Sequence, residues 1–274
     1  MAAYAAVLAR RAAPVAIEDG QPIVAGPRRE QKPRAGSIAV IPVYGPIVQR
    51  ASQIDICEGG TSTQAISNAL ADAMADDSVS QVLLDIDSPG GSVYGVQEVA
   101  AEIARSKKPV VAIANSLAAS AAYWIGSAAS EFYVTPGGEV GSIGVWTAHQ
   151  DFSKALEEAG VNVTLISAGQ FKVEGNPYQP LGADAQKFMQ SRVDDYYGAF
   201  TRAVARGRNV PVEQVRNGMG QGRVLGAEQA KAQSMVDGIA TFEEVIANMQ
   251  RGQAAQAPRA ARLARAQREI TILG

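Results

Sequence analysis

Short apolar runs alternate with amphipathic stretches through the middle of the chain. The runs at 36–44 and 81–87 are rich in Val, Ile and Leu and predict buried strands. The segment 61–76 between them begins with Thr and Ser and repeats apolar residues every four positions, namely Ile66, Leu70 and Met74. This spacing predicts a helix. Because such strands and helices alternate, we expect parallel βαβ units with right-handed crossovers, an α/β fold.

Further elements follow from the same patterns. We expect a helix from Ser92, acting as its N-cap, to about Ser106, and a strand over 109–114. The remaining expected elements are strands at 131–134 and 161–166 and helices at 151–159, 183–206, 226–233 and 241–250. The sheet therefore precedes a C-terminal helical region.

The two ends of the chain lack this patterning. Residues 1–35 contain four prolines and scattered arginines without a sustained period, which predicts a flexible N-terminal arm. In 251–274 an arginine recurs every third residue after Pro258, which predicts a flexible basic tail. A basic helix that contacts a partner or nucleic acid is the alternative for this tail. One folded domain, 36–250, lies between arm and tail.

Composition narrows the function classes. With 274 residues, 47% hydrophobic and 19% charged, the chain has an ordinary globular composition. A net charge of -2 gives no general attraction to nucleic acid or anionic membranes. No apolar stretch approaches the roughly 18 residues that a membrane span needs. A secretory signal is not expected either, because the N-terminal arginines follow the short apolar stretch instead of preceding it. A soluble, cytoplasmic protein is expected.

One cysteine and one histidine limit the available chemistry. Cys57 alone cannot build a disulfide framework or a site with two thiolates, and we expect no metal. His149 is the one imidazole that could act as a base. Nucleotide-binding glycine spacings are missing, and no cofactor is expected.

Three loops could carry chemistry. The loop 87–92, Asp-Ser-Pro-Gly-Gly-Ser, could present backbone N–H groups to a ligand oxygen, or form a plain strand-to-helix turn. In 115–127 three serines, Ser116, Ser120 and Ser127, compete as nucleophile, cap or packing residue. Lys172, in Gly-Gln-Phe-Lys, could be a solvated charge. To act as a base it must be neutral, which requires apolar burial that Phe171 could partly supply.

Four segments in this order resemble the signal peptide peptidase A family and its phage relatives, the head maturation (prohead) proteases and minor capsid protein C-like branch. They are Asp-Ser-Pro-Gly-Gly at 87–91, Ala-Ser-Ala-Ala-Tyr-Trp at 119–124, Gly-Ser-Ile-Gly at 141–144 and Gly-Gln-Phe-Lys at 169–172. A later stretch, 222–238, resembles the C-terminal motif of the family. Each segment is short, but their order and spacing make the set specific.

The resemblance implies a ClpP/crotonase-like fold and a serine endopeptidase with a Ser-Lys dyad. Ser120 matches the nucleophile, Lys172 the general base, and Ser142 a serine that holds the lysine. The residues that match the oxyanion hole are Gly90, Gly91 and Ala121.

The resemblance also implies partners. Substrates would be peptides or proteins, and the enzyme would be a homo-oligomeric ring in which the lysine can come from a neighbouring subunit. Ser120-Ala-Ala-Tyr123 replaces the usual Ser-Gly-Gly-Tyr, which leaves the substrate preference open. The missing membrane anchor favours the phage branch, whose members trim scaffold and capsid proteins in the host cytoplasm or assembling prohead. A soluble bacterial peptidase that degrades signal peptides is the alternative.

Three further alternatives remain open. His149 could replace the lysine in a Ser-His-Asp triad, with Asp151 or Asp184 as the acid. A crotonase-type acyl-thioester enzyme would also use two N–H groups as an oxyanion hole. A non-catalytic protein that binds scaffold or capsid could keep the same fold.

Overall fold

The computed structural model describes residues 17–18, 21–22, 36–50 and 59–256, with backbone alone for 17–18, 21–22 and 253–256. Most of the predicted arm, Cys57, and the arginines of the predicted tail beyond residue 256 therefore lie outside the described residues.

Within the described residues, a seven-stranded sheet runs in the order β10-β9-β7-β6-β3, with β8 beside β7 and β11 beside β8. Its strands are β3 (Ser37–Tyr44), β6 (Val79–Ser88), β7 (Val110–Ala119), β8 (Glu131–Val134), β9 (Glu139–Gly141), β10 (Val224–Gly226) and β11 (Gly238–Ile239). Two small pairs lie apart: parallel β4 (Ile47–Val48) and β5 (Thr61–Ser62), and antiparallel β1 (Ile17–Glu18) and β2 (Gln21–Pro22). Every pair in the large sheet is parallel except β9–β10. The predicted parallel α/β architecture is confirmed.

The helices connect the strands and then form the C-terminal region. They are α1 (Thr63–Ala75), α2 (Val96–Ala104), α3 (Ala121–Gly126), α4 (Ser153–Glu158), α5 (Ala183–Gly207), α6 (Val212–Asn217), α7 (Ala227–Ala232) and α8 (Phe242–Gln256), with a short 3-10 turn at Met219–Gly222. The hydroxyl oxygen of Ser62 caps α1 by accepting the Ala65 N–H at 3.1 Å. None of the described helices is both long and apolar enough for a bilayer crossing.

Both faces of the sheet are covered. On one face α1, α2 and α3 pack on the strands, and Trp124 stacks on Phe200 of α5 with ring centroids 4.7 Å apart. On the other face α8 packs Phe242 and Val245 against Leu83 and its neighbours. Because residues on both faces are buried, the central strands are apolar without alternation, which explains the apolar run in β6.

Two expected elements differ in the structure. Helix α2 begins at Val96, after Gly95 with φ of 79°, and Ser92 stays in the preceding loop because its N–H donates to the Ile47 carbonyl. The prediction of a strand at 161–166 is wrong. These residues are mostly exposed, and no described strand lies beside them to take their backbone hydrogen bonds.

An ion pair joins the end of α5 to the sheet. The guanidinium of Arg208, whose side chain is only 5% exposed, donates to both carboxylate oxygens of Asp237 at 2.9 and 2.8 Å. The same carboxylate accepts the Phe132 N–H at 2.7 Å. Burial by itself would raise the pKa of Asp237, but these hydrogen bonds outweigh it and lower the pKa below 3.8.

We predict that Asp237→Asn lowers the free energy of unfolding by roughly 2 kcal/mol, because the buried Arg208 charge loses its carboxylate. In the wild type, the lowered pKa means that this stabilisation is present above the ordinary pKa of an aspartate. It is lost as the pH falls through the lower pKa of the folded state. Urea unfolding across pH measures both effects.

Asp195→Asn is the matched control, since Asp195 pairs with Arg192 in the open, with side chains 65% and 50% exposed. Its unfolding free energy should change by less than about 0.5 kcal/mol. Equal losses in the two variants would contradict the assignment.

Candidate active site

Ser120 occupies the sharp junction between β7 and α3. Its φ of 53° and ψ of -121° are unusual for a residue with a side chain, and such a conformation costs on the order of 1–3 kcal/mol. Two backbone hydrogen bonds hold it: its N–H donates to the Gly141 carbonyl at 2.8 Å, and its carbonyl accepts the Trp124 N–H at 3.0 Å. The half-buried hydroxyl is thereby fixed at the carboxyl end of the sheet.

The glycine loop after β6 packs directly on this junction. A Cβ atom on Gly90 would lie 2.7 Å from the Ser120 Cβ atom and 2.9 Å from the Ala121 nitrogen. Gly90 also has a φ of 91°. No residue other than glycine fits there without displacement, so the close approach of loop and serine depends on it.

Backbone bonds to β4 fix the loop. The Ile47 N–H donates to the Gly90 carbonyl, and the Ser92 N–H donates to the Ile47 carbonyl, both at 2.8 Å. The Ser88 hydroxyl donates to the Gly45 carbonyl at 2.6 Å and accepts the Gly90 N–H at 3.1 Å. Sequence analysis missed Ile47 and Ser88 as supports, although Ser88 stands within the Asp-Ser-Pro-Gly-Gly motif.

The three residues expected to form an oxyanion hole differ in the hydrogen bonding of their backbone N–H groups. The Gly90 N–H is engaged with Ser88. In the described part of the chain the N–H groups of Gly91 and Ala121 make no hydrogen bond. Gly91 directly follows Gly90 and Ala121 directly follows Ser120, so both N–H groups lie next to the contact between Gly90 and Ser120.

Ser142 directly follows β9, just as Ser120 directly follows β7. Ala119 of β7 pairs with Gly141 of β9, so that each serine directly follows one member of a paired set. Ser142 also has a φ of 53°, and its N–H donates to the Arg223 carbonyl at 2.8 Å. Nothing in the sequence indicated this hydrogen bond, because its acceptor is a backbone carbonyl in a distant segment of the chain.

Lys172 is not joined to these serines by a hydrogen bond. It lies in an exposed turn, where its N–H donates to the Gly169 carbonyl at 3.1 Å. Among the described residues, neither its amine nor the Ser120 hydroxyl has a hydrogen-bond partner. The side chain of Phe171 is 63% exposed, so within one chain it does not supply the burial expected of it.

His149 has different contacts from those of a catalytic base. Its Nε2 atom lies 2.9 Å from the Asn176 carbonyl, which can only accept, so the Nε2–H donates there. Neither candidate acid is hydrogen-bonded to it. Asp184 pairs with Lys187 at 3.6 Å, and hydrogen bonds from Ser153, with a smaller effect of His149, hold the pKa of Asp151 below its usual value.

The two rival serines lie in unlike surroundings. Ser127 is buried, and its hydroxyl donates to the Trp124 carbonyl at 2.9 Å. Ser116 is exposed on β7, before the junction. Of the three serines, Ser120 alone lies against the glycine loop.

Family comparison agrees with this geometry. Residues 102–256 match peptidase family S49, and residues 46–140 match the Clp protease family. The chain belongs to peptidase family S49. The resemblance to signal peptide peptidase A and its phage relatives is thereby confirmed.

Two phage proteins illustrate the relationship within family S49. The chain is 40% identical over 193 residues to capsid assembly protease C of Escherichia phage lambda, covering 69% of this chain and 44% of that protein. It is 41% identical over 180 residues to head-tail preconnector protein GP5 of Enterobacteria phage P21, covering 65% and 36%. The chain thus spans less than half the length of these two relatives.

A solved structure supports the fold. A mutant of the 1510-N membrane-bound stomatin-specific protease aligns with a TM-score of 0.52 at 15% identity, covering 77% of this chain and 83% of that one. At this identity the likeness concerns the fold alone. Together with the Clp protease match, it confirms the ClpP/crotonase-like α/β fold expected for this member of family S49.

We predict that Gly90→Ala disrupts the site, because the added methyl group meets the Ala119 carbonyl oxygen at 2.6 Å at a positive φ. Gly137→Ala is the matched control, since nothing described lies within 4 Å of its Cβ position. Denaturant unfolding should show a loss of about 1–3 kcal/mol for Gly90→Ala and less than about 0.5 kcal/mol for the control. Similar stability of the two variants would contradict the close packing.

Proposed function

We propose that this chain is a serine endopeptidase that works through an acyl-enzyme, with Ser120 as nucleophile and Lys172 as general base. One observation carries the proposal: Ser120 is held at a positive φ against the glycine loop, between the unengaged N–H groups of Gly91 and Ala121. Membership of peptidase family S49 supports the same chemistry.

The reaction then needs only groups of the protein and water. Neutral Lys172 accepts the hydroxyl proton of Ser120 while the oxygen attacks the substrate carbonyl carbon. The resulting oxyanion accepts hydrogen bonds from the N–H groups of Gly91 and Ala121, each worth about 2.7–4 kcal/mol in such sites. Lys172 then gives the proton to the leaving amine as the C–N bond breaks. Water hydrolyses the acyl-enzyme, and Ser142 orients the lysine.

We also propose that a second copy of the chain supplies Lys172. The segment 146–188, which contains Lys172, exposes several large apolar side chains to an extent unusual for a monomer. The most exposed are Ile166 at 93%, Trp146 at 84%, Phe171 at 63% and Phe188 at 60%. Packing of this segment on a neighbour in a ring would bury them, and would favour a neutral lysine beside Ser120.

The proposed substrates are scaffold or capsid proteins of a phage head, cleaved in the host cytoplasm or in the assembling prohead. The names of the two phage relatives, a capsid assembly protease and a head-tail preconnector, support this role. A bacterial peptidase that degrades signal peptides is the second candidate. Membership of family S49 suits both, and the identity of about 40% to phage proteins favours the first.

We predict that Ser120→Ala abolishes cleavage of a protein substrate and labelling by a fluorophosphonate, because the attacking oxygen is removed. Ser116→Ala, the exposed serine on the same strand, is the control and should keep both. The intact mass of each variant after expression shows in addition whether the chain cleaves itself. Labelling that persists in Ser120→Ala would exclude it as nucleophile, and wild type that neither cleaves nor labels would favour a binding protein.

Lys172→Ala should lose at least about a hundredfold in kcat. The control Lys154→Ala, an exposed lysine of α4, and His149→Ala should keep most activity. Mixing Ser120→Ala with Lys172→Ala should restore roughly a quarter of the wild-type rate, the share of neighbours in a mixed ring that combine both intact groups. Mixtures that stay inactive would show that the lysine acts within its own chain.

A further inference from the structure

A cleft of about 280 Å³ opens beside the candidate active site. Residues 143–145, which directly follow Ser142, line the cleft. The residue before Ser142 is Gly141, whose carbonyl accepts the Ser120 N–H. The middle of α5 and the turn at 221–222 line the rest of the cleft. The cleft is therefore connected to the Ser120 junction through the backbone of residues 141–142, which makes it a candidate site for a side chain near the scissile bond.

The geometry points to a specificity pocket: we propose that the cleft binds a lysine or arginine side chain of the substrate, with Asp194 as the specificity-determining residue. The inference rests on the proposed peptidase function. It adds a substrate class, peptides with a basic residue near the cleaved bond.

The shape of the cleft suits a single long side chain. Pockets for drug-sized ligands usually measure about 300–1,000 Å³, so this one is small. Ile143, Val145 and Val193 offer apolar walls. Gly144 and Gly222 also line the cleft, where they lie close together and contribute no side chain. An aliphatic stem can pack on these walls while its polar tip stays at the mouth.

The acidic residue of the cleft determines which polar group at the end of a substrate side chain is preferred. Asp194, which is exposed, is the one lining residue with an acidic or basic side chain, and the Gln190 amide donates to one of its oxygens at 2.8 Å. Among the described residues no lysine or arginine lies within 4.0 Å of Asp194. The other two aspartates of α5 each have a cation, since Asp184 pairs with Lys187 and Asp195 with Arg192.

A cationic side chain of the substrate would therefore supply the ion-pair partner that Asp194 lacks among the described residues. The second carboxylate oxygen of Asp194 has no hydrogen-bond partner among the described residues and can accept from an ammonium or guanidinium group. An acidic side chain would meet an unpaired carboxylate, and a neutral one would gain no charge-assisted bond. Basic side chains should thus be preferred over both.

The test compares arginine with citrulline, its uncharged analogue of the same shape, at each position of one quenched peptide series cleaved by the full chain. At one position the wild type should prefer arginine about ten- to hundredfold in kcat/KM. Asp194→Asn should reduce this preference to less than about threefold, whereas Asp195→Asn should keep it. Asp194→Lys should instead prefer glutamate over glutamine at that position.

Several results would overturn the proposal. Equal cleavage of arginine and citrulline peptides at every position, or a preference that survives in Asp194→Asn, would refute the pocket while leaving peptidase activity established. Dissociation of the Asp194→Asn assembly in analytical ultracentrifugation would also refute it, because the cleft would then hold a side chain of a neighbouring copy.

Failure of the peptidase function gives a different result. If no peptide is cleaved, the same pairs are tested for binding to the wild type and to Asp194→Asn by fluorescence anisotropy. Tighter binding of arginine peptides that disappears in Asp194→Asn supports the pocket even without cleavage. Equal or absent binding overturns it.

Discussion

The hydrogen bond from the Ser120 N–H to the Gly141 carbonyl joins two strand ends that are far apart in sequence. It continues the β7–β9 pairing, in which Ala119 faces Gly141, one step beyond the ladder. Both chains then turn sharply, and Ser120 and Ser142 take the same φ of 53°. The strain at each turn is sustained because the parallel pairing and the core beneath it determine where the backbone must go.

The loop that contains Gly90 packs against the turn at Ser120, and this close packing requires glycine. The loop at Gly90 approaches the Ser120 junction so closely that a Cβ atom has no room, and Ile47 holds the loop from its other side. The separation of tasks between adjacent glycines follows from geometry. The Gly90 N–H donates to Ser88 and stabilises the loop, whereas the Gly91 N–H makes no hydrogen bond in the described part of the chain.

The proposed base, Lys172, makes no hydrogen bond to Ser120 within one chain. The long excursion that contains Lys172 is mostly exposed and carries several large apolar side chains. Within one chain, Lys172 is therefore not buried among apolar side chains. Dependence of activity on assembly would follow from this, since burial on a neighbour would both hide the apolar surface and favour the neutral amine. The cleft at Asp194 is lined by α5, the helix that follows this exposed segment in the chain.

The sequence by itself determined the features that local pattern controls. The apolar run of β6, the helix α1 with its Ser62 cap, and the length of α5 follow from burial and capping of neighbouring residues. The motif around Ser120 gave the candidate nucleophile, through its resemblance to a family. The sequence could not show that residues 161–166 form no strand, because an apolar run becomes a strand only where a partner accepts its hydrogen bonds.

Only the tertiary structure decided which distant groups meet. The contact of Ser142 with the backbone of Arg223, the packing of Gly90 on Ser120, and the open cleft at Asp194 each join segments far apart along the chain. Such contacts depend on strand order and on the packing of α5, and neither is encoded in the spacing of nearby residues. The physical reason is that pattern reports the burial of a residue, whereas strand pairing and packing fix its neighbours.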